Sequence, residues 1–111
     1  MKKINLDELY DMENLLCTFH EDTYYPERTD KDTIKRFVKE MDSGSIKDTI
    51  KEGKEVLALQ PFPHEWVSHI TNKLVYDQKR KKWVEDCELY KKWVKWMIEA
   101  LEEEGKKQGK L

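Results

Sequence analysis

Apolar side chains recur at steps of four, three, four, three and four at Trp83, Cys87, Tyr90, Val94, Met97 and Leu101, which is the period of one helical seam. A second row, Leu89, Trp93, Trp96 and Ala100, runs beside it. At about 100° per residue the two rows cover roughly 240° of the helix circumference. An arc that wide needs cover on both flanks, from the rest of the chain or from a partner. With Asp77 as its cap, the pattern predicts a last helix of about 27 residues, about 40 Å long.

Earlier segments offer one apolar face each. Asn5 with Glu8 forms a capping-box variant ahead of Leu6, Leu9, Met12, Leu15, Leu16 and Phe19, which predicts a first helix of about 14 residues ending near Phe19. Thr29 and Asp32 repeat the spacing before Ile34, Phe37, Val38 and Met41, and Ser43-Gly44 is a stop. Ser45 and Asp48 open a third helix with Ile46, Ile50, Val56, Leu57 and Leu59 inward. Its Gly53 costs about 1 kcal/mol relative to Ala and suits close packing against a neighbour. The segments 31–35 and 47–51 are both Lys-Asp-Thr-Ile-Lys, consistent equally with an internal repeat or with two similar helix starts. Either way an antiparallel helix pair with a very short turn is expected.

Gln60-Pro61-Phe62-Pro63 interrupts the chain, with Pro63 suited to the first position of a fourth helix. Trp66, Val67, Ile70 and Leu74 would line that helix, and Phe62 would staple onto Trp66 or Val67. Val56-Leu57-Ala58-Leu59 is the nearest approach to a strand, but it continues a helical pattern. The expected architecture is all-α: a single-domain bundle of five helices over residues 1–104, the Trp-rich last helix as central post, and a frayed polar tail over 105–111.

Composition supports a packed core. Only 38% of residues are hydrophobic and 40% are charged, but three Phe, five Tyr and four Trp place the apolar material in large side chains. Each fully buried aromatic contributes roughly 4–6 kcal/mol gross. The net charge of −2 is unevenly spread. Residues 1–32 hold nine acids and four bases, a balance of −5. Lys79-Arg80-Lys81-Lys82 is the one basic run. With no aromatic platform on the same loop, it fits a solvated first helical turn better than a nucleic-acid patch. Cys17 and Cys87 lie far apart at helical apolar positions, as expected of buried free thiols in a reducing cytoplasm, although a disulfide stays open. Asp7 and Glu8 interrupt any signal-peptide apolar region, and no run is apolar enough to span a bilayer. The expected location is therefore cytoplasmic.

Catalytic and metal signals are weak. His64 and His69 are five apart and diverge by about 140° on a helix, which does not make a zinc pair. His20, Glu21 and Asp22 are adjacent rather than convergent, and His20 is equally suited to bonding nearby backbone. There is no Gly-rich phosphate loop, nucleophile elbow or cysteine pair at metal spacing. No cofactor or metal is expected, nor direct nucleic-acid or membrane binding. The segment Phe19 to Arg28 differs in kind, because Tyr24 and Tyr25 beside Glu21, Asp22 and Glu27 combine the anchor and charge types that protein interfaces use. Solvated loop residues are the alternative.

Phe19-His20-Glu21-Asp22 followed by Tyr24, then Asp32-Thr33-Ile34 with Phe37-Val38, and Phe62-Pro63 with Glu65-Trp66 together resemble the small cytoplasmic immunity proteins of bacterial contact-dependent growth inhibition systems. The resemblance spans Leu15 to Trp66. Thr18 stands where an aromatic is common in that family, and the Trp-rich helix is longer. The resemblance implies a helical, non-catalytic protein that binds a cognate toxin domain, a nuclease among the candidates, by covering its active site or a nearby surface. Glu21, Asp22, Tyr24, Tyr25 and Glu27 would then face the toxin, with Phe19 and His20 organising the loop. An acidic surface would compete with nucleic acid for a basic groove. A helical adaptor or regulatory subunit, touched at Leu89 and Trp96 on the edge of the last helix, is the rival reading.

Overall fold

The computed structural model describes residues 5–111. Asn5 accepts from Asp7 N, capping a 3-10 turn, Leu6–Glu8, rather than the first helix. Helix α1 follows at Tyr10–Asp22 and outlasts its predicted end by one turn, carrying His20, Glu21 and Asp22 as helical residues. Helix α2 (Asp30–Glu40) starts as its sequence predicts: the Thr29 side chain accepts from Asp32 N, and the Asp32 carboxylate accepts from Thr29 N.

Helix α3 spans Ser43–Leu57 and is capped by Asp42, whose carboxylate accepts from Ser45 N, so Ser43-Gly44 is its first turn and not a linker. The repeated pentapeptide therefore falls at different depths. Asp32 is the third residue of α2, whereas Asp48 lies in the second turn of α3. The two helices do not form the expected pair, since the extensive contacts of each are with α1 and α5. Gly53 lets α3 close on α5: a Cβ there would lie 2.8 Å from Ile98 Cγ1.

Helix α4 (His64–Thr71) is short, with Pro63 at its cap position and Asn72 ending it in the left-handed region at φ 49°. Leu74, expected on its inner face, lies beyond that end and is exposed. The next segment corrects the sequence reading most. Val75–Asp77 (β1) and Lys82–Val84 (β2) pair antiparallel as a hairpin, with Tyr76 opposite Trp83. Asp77 caps the hairpin turn instead of a helix, accepting from Lys79 N and Arg80 N at 2.9 and 3.2 Å. The final helix α5 begins nine residues later than predicted, at Cys87–Lys107, capped by Asp86 in place of Asp77.

As the central post, α5 packs against α2, α3, α4 and β1. Its seam residues Tyr90, Val94, Met97 and Leu101 are fully buried and belong to one core with Met12, Leu15, Leu16, Phe37, Ile46 and Val56. The second row is half-buried, and Trp96 remains 38% exposed. The C-terminal segment, expected to fray, folds back instead. Lys110 Nζ donates to the carbonyls of Val38, Lys39 and Met41 at 2.6–2.9 Å, where a cation complements a helix C-terminus. Leu111 covers Gly105, which has no room for a side chain. Both thiols are unpaired, and Cys17 is exposed rather than buried. No helix among the described residues is long and apolar enough to cross a membrane.

Candidate protein-docking groove

The connector between α1 and α2 lies beside the β-hairpin, and the space between them is a groove. Its central cavity, about 430 Å³, is lined by Tyr25, Pro26 and Arg28 on the connector side and by Lys73, Leu74 and Trp83 on the other. An adjoining cavity of about 290 Å³ continues past Trp83 to Tyr76, Leu89 and Trp93. A third, about 420 Å³, extends the other way from Tyr25 and Arg28 to Tyr24 and Glu21.

The connector is fixed by Asp22, which is only 8% exposed. Its carboxylate accepts from Thr33 Oγ1 and Arg36 Nη2 at 2.5 Å and from Arg28 Nη1 at 3.0 Å. Burial pushes this carboxyl up, but the bonds from Thr33, Arg36 and Arg28 outweigh it and hold Asp22 below the ordinary carboxylate range. Asp22 therefore ties the end of α1 to α2 and is not a free acid facing a partner. Arg28, held by that bond, lies over the Tyr25 ring at 4.0 Å from its centroid. Glu21, Tyr24, Tyr25 and Glu27 are exposed, Tyr24 at 75%.

Phe19 is buried, its ring 5.0 Å edge-on from Trp93. Lys73 lies above both rings, 5.7 and 5.4 Å from their centroids, and is paired with Asp30, which also accepts from Trp93 Nε1 at 3.0 Å. These contacts join α1, α2, the α4–β1 link and α5 into the floor of the groove. His20 is not bonded to backbone through its ring as the sequence suggested. Its Nδ1 is buried without a hydrogen-bond partner, and the ring meets Tyr24 edge-on at 6.2 Å.

Of the seven residues singled out in sequence, Tyr24, Tyr25 and Glu27 share the exposed connector and Glu21 is exposed in the last turn of α1, whereas Phe19 and Asp22 belong to the interior beneath it. The residues missed are Leu74, Tyr76 and Trp83. All three are exposed, Trp83 at 61%, and they form an apolar rim opposite Tyr25. A signal for them was present in Asp77 followed by a polar turn, with apolar residues on either side. Among the described residues, no three His, Cys, Asp or Glu side chains are grouped so as to hold a metal ion. No protein-family model matches the chain, and no curated protein or solved structure matches it either.

Proposed function

We propose that this protein acts without catalysis by binding another protein in the groove between the α1–α2 connector and the hairpin. The partner in this reading is a toxin domain, neutralised by covering its active site or a nearby surface, as the resemblance to immunity proteins implies. The observation that carries the docking part is the exposure of Tyr25, Leu74, Tyr76 and Trp83 around two adjoining cavities that share Leu74 and Trp83, contributed by two segments far apart in sequence. Aromatic anchors beside a pocket are the residue type on which interface energy concentrates. An apolar rim held on a rigid floor also loses little entropy on binding.

The toxin part rests on the resemblance and is tested by co-production. The C-terminal domain encoded by the reading frame immediately upstream is expected to arrest growth when made alone and to be harmless alongside this protein. Protection is expected to disappear with Trp83→Ser and Tyr25→Ser combined. Absence of protection by the unaltered chain would end the immunity reading.

The adaptor reading keeps one observation of its own, the 38% exposure of Trp96 on α5. Since Trp96 is not buried, Trp96→Ala is expected to leave the fold intact. Loss of partner binding in that variant, with binding retained in Trp83→Ser, would move the docking surface to α5.

A further inference from the structure

The exposed charge flanking the groove differs in sign between its two ends, the hairpin lysines lying on and beside the turn that joins the strands of Tyr76 and Trp83 and not in the cavity lining. At the hairpin, Arg80 is paired with Asp77 at 3.3 Å, whereas Lys79, Lys81 and Lys82 are exposed and have no acidic partner among the described residues. At the connector end, Glu21 and Glu27 are exposed and likewise unpaired among the described residues. Between them the acids are already neutralised, Asp22 by Arg28 and Arg36 and Asp30 by Lys73. The middle offers aromatic and aliphatic surface, and the two ends offer opposite fields.

Resting on the docking reading above, we infer that the groove takes a partner segment with an apolar anchor for the Leu74–Trp83 rim and acidic residues directed at Lys79 and Lys81 on the adjoining turn, Lys82 lying on the Asp77 face of the hairpin. This reverses the expectation from sequence, in which an acidic surface of this chain meets a basic partner. Charge complementarity supports it: a uniformly basic surface would suit Glu21 and Glu27 but meet the unpaired lysines of the turn at the other end. A single-stranded nucleic acid would suit the lysines but meet the connector acids. It would also find Tyr76 and Trp83 tilted 64° to one another, so they do not present parallel faces to successive stacked bases.

The test uses the full chain and three fluorescein-labelled peptides of equal length, each with one Phe-Leu anchor, neutral residues on one side of it and a run of Glu, of Gln or of Lys on the other, together with an oligothymidine. Fluorescence anisotropy at low salt is expected to show the Glu peptide binding about tenfold more tightly than the Gln and Lys peptides. Lys79→Glu should remove most of that preference, Lys81 being spared because its backbone is left-handed at φ 55°. The thermal midpoint of this variant checks that the hairpin survives, and Lys79→Gln should give an intermediate loss. Equal binding of the Glu and Gln peptides, both lost in Trp83→Ser, would overturn the acidic-partner inference and leave the docking groove standing. Binding of oligothymidine in place of the Glu peptide, or binding of no peptide, would also overturn it.

Discussion

Tyr76 and Trp83 face each other across the hairpin, ring centroids 5.3 Å apart and planes at 64°. They occupy directly opposed positions in the register and point away from the core, while Val75 and Asp77 are buried. The pair stiffens the hairpin and keeps apolar surface in solvent. Trp83→Ser should therefore cost about 0.5–1 kcal/mol of stability, the worth of one cross-strand aromatic pair. It should weaken partner binding by at least about 2 kcal/mol, roughly thirtyfold, as expected of a central anchor. Thermal unfolding and titration calorimetry on the same variant separate the two effects.

Asp22 is predicted to behave oppositely. Asp22→Asn leaves Arg28 and Arg36 without their shared carboxylate and should cost about 1–3 kcal/mol in urea unfolding. Glu21→Gln and Glu27→Gln should stay within about 0.5 kcal/mol of the unaltered protein. Because Asp22 is held below its ordinary range, the stability it provides is present at neutral pH and is lost as pH falls through its folded value.

Gly53 and Ile98 set the approach of α3 to α5. Gly53→Ala gains about 1 kcal/mol of helix propensity, but the new methyl would sit 2.8 Å from Ile98 Cγ1. Overpacking at a fixed helix contact costs about 1–3 kcal/mol, so a net loss is expected. In an Ile98→Ala background, itself destabilised by truncation of a core side chain, Gly53→Ala should cost less, and the coupling is read from a double-mutant cycle.

Glu52 on α3 lies against the start of α1, accepting from Met12 N at 3.3 Å. Burial, and then the neighbouring Asp11, push its carboxyl up from the ordinary 4.5 to about 6. A folded pKa above the unfolded one means that its stabilising contribution is complete below the unfolded value and is lost as pH rises through the folded one. For a group still partly in solvent the effect is roughly 1 kcal/mol after screening. Glu52→Gln, which mimics the protonated form, should raise the melting temperature at pH 7.5 by about 4 °C. It should also flatten the dependence between pH 4.5 and 7.

The helical segments were legible because their signals are local and redundant. Thr29 and Asp32 satisfy one another's backbone donors, and Tyr90, Val94, Met97 and Leu101 repeat over several turns of α5. The hairpin was hidden because each strand is three residues long, too short for alternation to register, and its turn contains no glycine. Trp83 also falls four residues before Cys87, so it extended the helical seam by coincidence of spacing. Asp86, the cap that ends that continuity, was outweighed by the long apolar row. The aromatic character of the connector is legible in Tyr24 and Tyr25, which are exposed, but Asp22 could not be separated from Glu21 in sequence. Its partners Arg28, Thr33 and Arg36 come together only when α1 and α2 pack.

The most direct test of the docking surface uses the four indole N–H groups as reporters, since Trp66, Trp83, Trp93 and Trp96 lie on different parts of the fold. In a nitrogen-15-labelled sample, adding a toxin domain that this protein neutralises in co-production should shift or broaden the Trp83 indole signal first. The amides of Tyr25, Leu74 and Tyr76 should move with it, while the Trp66 indole stays in place. A perturbation centred on the Trp96 indole, with Trp83 unmoved, would contradict the groove as the binding surface.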